Sequence, residues 1–89
     1  MAWRVEFLAQ AARDVEKLDR QVARRISRFL LDRVANLENP RSVGEALRGS
    51  QLGEYWKYRV GDYRIICKIE DDRLLVLVVR IGHRREIYR

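Results

Sequence analysis

Residues 55–70 read YWKYRVGDYRIICKIE. Two segments rich in aromatic and β-branched residues flank Gly61-Asp62, and a two-residue Gly/Asp connection between such segments is a β-hairpin signal. That turn sets a register. Val60 faces Tyr63, Arg59 faces Arg64, Tyr58 faces Ile65, Lys57 faces Ile66, Trp56 faces Cys67 and Tyr55 faces Lys68. Side chains alternate across a strand, so Trp56, Tyr58, Val60, Tyr63, Ile65, Cys67 and Ile69 share one face. Tyr55, Lys57, Arg59, Arg64, Ile66 and Lys68 share the other. The first face is apolar and needs a cover; the second is cationic.

Downstream, RLLVLVVRI at 73–81 reads as a third strand, apolar on both faces and therefore interior to the sheet. A two-residue turn at Asp71-Asp72 would put Leu75, Leu77 and Val79 on the cationic face and Arg80 opposite Tyr63, at the rim of the apolar face. Gly82 interrupts this parity, because a glycine in a strand often marks a bulge. Upstream, WRVEF at 3–7 alternates as a strand, with Trp3, Val5 and Phe7 on one side. AQAARDVEKL then changes to helical spacing, with Ala11, Val15 and Leu18 on one stripe. Asp19 is placed to cap a second helix whose stripe is Val22, Ile26, Phe29, Leu30, Val34 and Leu37. Arg24, Arg25, Arg28 and Asp32 lie away from that stripe, with Arg28 and Asp32 spaced to form an ion pair. Residues 38–54 read as a long connector that has a role of its own or folds back onto the core. The predicted architecture is α+β: one domain over 1–89 with the order β-α-α-β-β-β. A helical hairpin packs on one face of a mostly antiparallel sheet.

The chain carries 19 Lys plus Arg against 13 Asp plus Glu, a net charge of +6, and 16 of the 19 cations are Arg. Arg favours bidentate contacts to phosphate or carboxylate over diffuse attraction. One Cys and one His exclude an internal disulfide and argue against a protein-built metal site, so no metal or other cofactor is expected. No signal peptide or run long enough for a membrane span is visible, which makes cytoplasm the expected compartment and gives no membrane partner.

Arg59 directly opposite Arg64 is the informative pair on the cationic face. Like charges at opposed strand positions cost up to about 1 kcal/mol, and Lys57 lies diagonally to Arg64. An anion held between the guanidinium groups would turn that cost into a gain, whereas arginines splayed into water would merely be screened. Tyr55, Arg59 and Lys68 are then phosphate- or RNA-binding candidates. His83 is a further candidate, as phosphate contact or base. The tail GHRREIYR at 82–89 places Arg84 and Tyr88 on one side of the chain in either strand or helix geometry. Cys67 falls on the core face as an inert thiol, with Trp3, Trp56 and Tyr58 as core aromatics.

At LDRQVARRI, LRG (47–49), YWKYRVGDYRI and GHRREIYR, nearly the whole chain resembles the RelE family of toxins, within the RelE/ParE superfamily of toxin–antitoxin pairs. The resemblance implies a RelE-like fold and a ribosome-dependent endoribonuclease. Such an enzyme cuts mRNA in the A site by driving a ribose 2′-OH onto its own 3′ phosphate, without a metal. It implies Lys57, Arg64, Arg84 and Tyr88 as the catalytic set, with Arg59 as a neighbouring cation. The implied partners are a RelB-like antitoxin, the ribosome and mRNA, and operator DNA reached through the antitoxin. The chemistry needs a base for the 2′-OH, cations for the charge on phosphorus and an acid for the leaving 5′ oxygen. Some members carry a second lysine where this chain has Tyr55, which leaves the base open. The alternatives are a ParE-like toxin that poisons DNA gyrase, and a non-catalytic basic nucleic-acid-binding module.

Overall fold

The structure is a computed structural model that describes residues 3–47 and 55–87. Strand β1 (Arg4–Phe7) leads into helix α1 (Ala9–Glu16) and helix α2 (Arg20–Arg28). After α2 the helix loosens into a π turn at Phe29–Arg33 and tightens into a 3-10 turn at Val34–Asn36. Strand β2 (Glu45–Ala46) follows, then β3 (Tyr55–Val60), β4 (Tyr63–Glu70) and β5 (Leu75–His83). The five strands form one sheet in the order β1-β5-β4-β3-β2, antiparallel except for the parallel β1–β5 pair. The α+β architecture expected from the sequence is the one observed.

The β3–β4 hairpin keeps all six expected pairs, from Tyr55↔Lys68 to Val60↔Tyr63. Its apolar face builds the core. Ile26, Leu30 and Val34 of the second helical segment and Ala11 of α1 pack on Tyr58, Val60, Ile65, Cys67, Ile69, Val76 and Val78. Each buried Ile, Leu or Val among them contributes about 1.5–3 kcal/mol on burial. Asp19 caps α2 as expected: its Oδ2 accepts the Gln21 backbone N–H at 3.0 Å. Among the described residues the Arg28–Asp32 ion pair does not form.

Three expectations need correction. First, the connector holds an extra strand. β2 pairs with β3 through Glu45↔Lys57 and Ala46↔Trp56. The connector folds back because buried donors on β3 require acceptors. The Tyr58 hydroxyl donates to the Pro40 carbonyl at 2.7 Å, and the Trp56 indole donates to the Val43 carbonyl at 2.8 Å.

Second, the β4–β5 turn is wider than Asp71-Asp72. A two-residue hairpin turn wants positive φ at its first central residue, as at Gly61, which Asp71 does not adopt. Here a 3-10 turn spans Asp71–Arg73 and Leu74 alone takes φ 47°. Glu70 therefore pairs with Leu75, so the register slips by two and its parity survives as far as Val78.

Third, a bulge at Val79 resets the rest. Cys67 pairs with Val78, but Ile66 pairs with Arg80, and Tyr63 pairs with His83 where Arg80 was expected. Arg80 thus lies beside Ile66 and reaches the sheet edge, where its Nε is 3.0 Å from Asp14 Oδ2.

Asp14 explains how β5 outlasts β1. β1 ends at Phe7 opposite Val78, and the Leu8 N–H donates to the Val78 carbonyl. Beyond that point α1 closes the free edge. The Asp14 carboxylate accepts from the Ile81 N–H at 2.9 Å, from Arg80 and from the Gln10 amide. Burial alone would raise the pKa of this carboxyl, but the Ile81 N–H, Gln10 and Arg80 outweigh it and the net shift is downward.

Candidate active site

Alternation in β3 and β4 places Lys57, Arg59, Arg64, Ile66 and Lys68 on the face away from the helices. The face is not uniformly open. Arg59 is exposed, but Arg64 is only 6% exposed, and its Nη1 donates to the carbonyls of Gly61 at 3.1 Å and Tyr63 at 3.0 Å. Arg59 lines a cleft of about 460 Å³ at the α2 side of the hairpin with Arg25, Arg28 and Arg33. The two opposed arginines therefore part: one is tied to the turn's backbone, the other borders α2.

Gly82 is the cross-strand partner of Arg64. With no side chain there, Ile87 lies against its backbone; a Cβ at Gly82 would sit 3.3 Å from the Ile87 Cβ. Residues 84–87 fold back in a turn in which the His83 carbonyl accepts from the Glu86 and Ile87 N–H groups. This turn settles Arg84. Its N–H donates to the Asp62 carbonyl at 2.8 Å, and its Nε lies 3.7 Å from Asp62 Oδ1. Arg84 is thereby moored at the hairpin turn, near the Arg59/Arg64 end of the face.

Lys57 sits farther along. Its ammonium is 3.4 Å from Glu45 Oε1, the cross-strand neighbour contributed by β2. Tyr55 and Lys68 pair with each other still farther from the turn. His83 does not join this face. It pairs with Tyr63, with the two rings edge to face at 5.5 Å, and its Nδ1 accepts the Arg85 N–H. Tyr88 and most of the LRG segment lie outside the described residues. Glu45 and Asp62 are neighbours of these cations that sequence reasoning missed. Asp62 was read only as a turn residue and Glu45 only as connector.

Cys67 is fully buried and burial pushes its thiol pKa well up, as burial also does for the Tyr58 hydroxyl. Both are core groups, not reactive ones.

The chain has counterparts among known proteins. A family profile described as "ParE toxin of type II toxin-antitoxin system, parDE" matches residues 5–88. Toxin RelG of Mycobacterium tuberculosis is 32% identical over 89 residues, covering 100% of this chain and 99% of that protein. The chain belongs to the RelE/ParE family of type II toxins. The mRNA interferase toxin RelE of Escherichia coli K12 is 29% identical over 90 residues, covering 99% of this chain and 92% of that protein. A toxin in the crystal structure of the M. tuberculosis RelBE2 toxin–antitoxin complex superposes with a TM-score of 0.84 at 28% identity, covering 97% of this chain and 95% of that one. This protein is thus a RelE-like toxin of a type II toxin–antitoxin system.

Proposed function

We propose that this RelE-like toxin is a ribosome-dependent mRNA endonuclease that cuts in the A site by metal-independent attack of a 2′-OH on the adjacent phosphate. The observation that carries the reading is the clustering of Lys57, Arg59 and Arg64 on one face, with Arg84 moored at the same hairpin's turn. The attack builds an extra negative charge on the phosphate oxygens. Fixed cations stabilise that charge more than they stabilise the substrate. Lys57, Arg64 and Arg84 supply them, and Tyr88 stacks on a base or orients the 2′-OH. Tyr55, Arg59 and Lys68 extend the phosphate-binding surface. His83, on the other side of the strand, is left for backbone contacts.

An E. coli relative carries the name mRNA interferase, which supports the reaction class. The resemblance to a toxin from a RelBE2 complex supports a RelB-like antitoxin as partner. An antitoxin bound to operator DNA would carry the toxin there with it. No helix among the described residues is long and apolar enough to cross a membrane, and ribosomes place the work in the cytoplasm.

A shallow face on a domain this small grips free RNA poorly, so the ribosome supplies the substrate geometry. Primer extension on translated and naked mRNA tests this. Cutting is expected only on programmed ribosomes, with Lys57→Ala slower on the order of 10²–10³. Efficient cutting of both RNAs would overturn it. The ParE profile favours a second reading, gyrase inhibition. Blocked DNA supercoiling with intact mRNA would decide for that one.

A further inference from the structure

Arg84 lies just beyond β5, where no strand ladder fixes the chain, so its direction depends on where the next backbone N–H groups end. All four from Arg84 to Ile87 find acceptors, and three of them end on His83. The Arg84 N–H donates to the Asp62 carbonyl at 2.8 Å. The Arg85 N–H donates to the His83 Nδ1 at 3.2 Å, and the Glu86 and Ile87 N–H groups donate to the His83 carbonyl at 2.9 and 3.0 Å. A side-chain acceptor for the N–H two residues on is how Asx turns close, and here an imidazole does the same. The ring is fixed in its turn by Tyr63, the cross-strand partner of His83, edge to face at 5.5 Å. The Arg84–Asp62 ion pair adds little, because its side chains are 52% and 66% exposed and 3.7 Å apart. Among the described residues, His83 is therefore the main side-chain tie of this turn.

We propose that His83 is a positioning residue for Arg84: its ring, held by Tyr63, closes the turn through Nδ1 and so aims the Arg84 guanidinium; this rests on the ribonuclease reading above. His83 itself does not meet the substrate. It stands on the Tyr63 side of the sheet, away from Lys57 and Arg64, with Nδ1 already occupied. Its side chain combines two features that simpler residues separate. A Phe at this position would keep the edge contact with Tyr63 but offer no acceptor, and an Asn would keep a short acceptor but no ring. A cation held in place stabilises the charge growing on phosphorus without rearranging. A turn free to swing would lose part of that stabilisation to the entropy of ordering Arg84. A misplacement of about 1 Å is enough to cost on the order of 10² in rate.

The test is single-turnover cleavage on programmed ribosomes over a range of toxin concentrations, which separates the maximal rate from the half-saturating concentration. The proteins compared are the parent, His83→Phe, His83→Asn, Arg84→Ala and the double variant His83→Phe/Arg84→Ala. His83→Phe should lower the maximal rate on the order of 10–10² and leave the half-saturating concentration unchanged. His83→Asn should recover most of that loss. In the Arg84→Ala background, His83→Phe should cost no more than about twofold further, because the group it aims is gone. If the Phe variant misfolds, His83→Ala takes its place, and the Asn variant should be faster than it. A Phe variant as fast as the parent overturns the proposal. So does an Asn variant as slow as the Phe one, since the acceptor would then not matter. A full further loss in the Arg84→Ala background, or a loss confined to the half-saturating concentration, also overturns it, because His83 would then act otherwise than through Arg84. A parent that cuts nothing on ribosomes overturns the ribonuclease reading together with this one, whereas normal parent cleavage indifferent to His83 overturns this one alone.

Discussion

Gly44→Ala isolates the contact on which the edge of the site depends. Gly44 has φ +81°, where an L side chain costs about 1–2 kcal/mol. The added methyl would also meet the Lys57 carbonyl at 2.5 Å, the Trp56 indole nitrogen at 2.7 Å and Tyr58 Cδ1 at 2.9 Å. A backbone carbonyl within a sheet cannot swing aside, so β2 must peel away. That sacrifices the Trp56–Val43 hydrogen bond, worth about 1 kcal/mol, along with the two-residue β2–β3 pairing. The expected loss is about 3–4 kcal/mol, a large part of the 5–15 kcal/mol typical of a small domain. It corresponds to a fall in Tm of about 15–25 °C. Gly61 provides the comparison. It too has positive φ (58°), but its added Cβ would meet the mobile Arg25 guanidinium at 3.0 Å. Gly61→Ala should therefore cost only the backbone strain, about 1–2 kcal/mol. Urea unfolding of both variants measures the difference. Equal losses, or a Gly44→Ala loss below about 1 kcal/mol, would refute the claim that close approach at Gly44 holds β2 in place.

Asp14→Asn should cost about 1.5–3 kcal/mol near neutral pH, because the Ile81 N–H and Arg80 lose a charged acceptor. The Asp14 pKa is lowered in the fold, so its contribution is complete above the unfolded carboxyl range and fades as pH falls through the folded value. Urea midpoints of the two proteins should therefore converge in acid; a constant gap would contradict the assignment. Sulfate should raise Tm beyond chloride at matched ionic strength, since an oxyanion can settle among Arg59, Arg25, Arg28 and Arg33 around their cleft, and a ligand at about 100 times its Kd contributes roughly 2.7 kcal/mol. Sulfate also stabilises proteins by exclusion, so the control is Arg59→Gln, which should lose the extra response while Arg64 keeps its backbone bonds. An equal response in both proteins would refute an anion site at Arg59.

The hairpin was legible because three signals agree there: alternation, a Gly-containing turn, and faces of opposite character. The six pairs from Tyr55↔Lys68 to Val60↔Tyr63 follow from these alone. Asp19 was legible for a similar reason, since a cap is a local event two residues long. β2 was not. Glu45 and Ala46 are too few to alternate, and their strand exists only because Trp56 and Tyr58 need distant carbonyl acceptors and Gly44 permits the approach. The second half of β5 was hidden differently. Leu75 to Val79 is apolar at every position, so a slip of two residues or a bulge leaves no trace in the pattern. Asp14 gave no signal in the pattern. Its function as an edge cap depends on β1 stopping at Phe7 while β5 runs on to His83, and its partner Ile81 is 67 residues away.

The cationic face was legible in composition but not in mechanics. From spacing, Arg59 and Arg64 form one repulsive pair awaiting an anion. In the fold they differ in kind. Arg64 is buried, with Nη1 committed to the Gly61 and Tyr63 carbonyls. A guanidinium has five N–H donors, and these bonds draw on one nitrogen. On the ribonuclease reading, a cation anchored in this way needs no rearrangement as charge grows on the phosphate, the condition under which fixed donors stabilise a transition state most. Lys57 works under the opposite condition. It ends a flexible stem and meets Glu45, which stands on a strand of two residues at the sheet edge. The site thus has a rigid wall at Arg64 and an adjustable one at β2. On the ribonuclease reading, changes in the connector before β2 should accordingly alter the rate through Lys57 while leaving the Arg64 anchor intact.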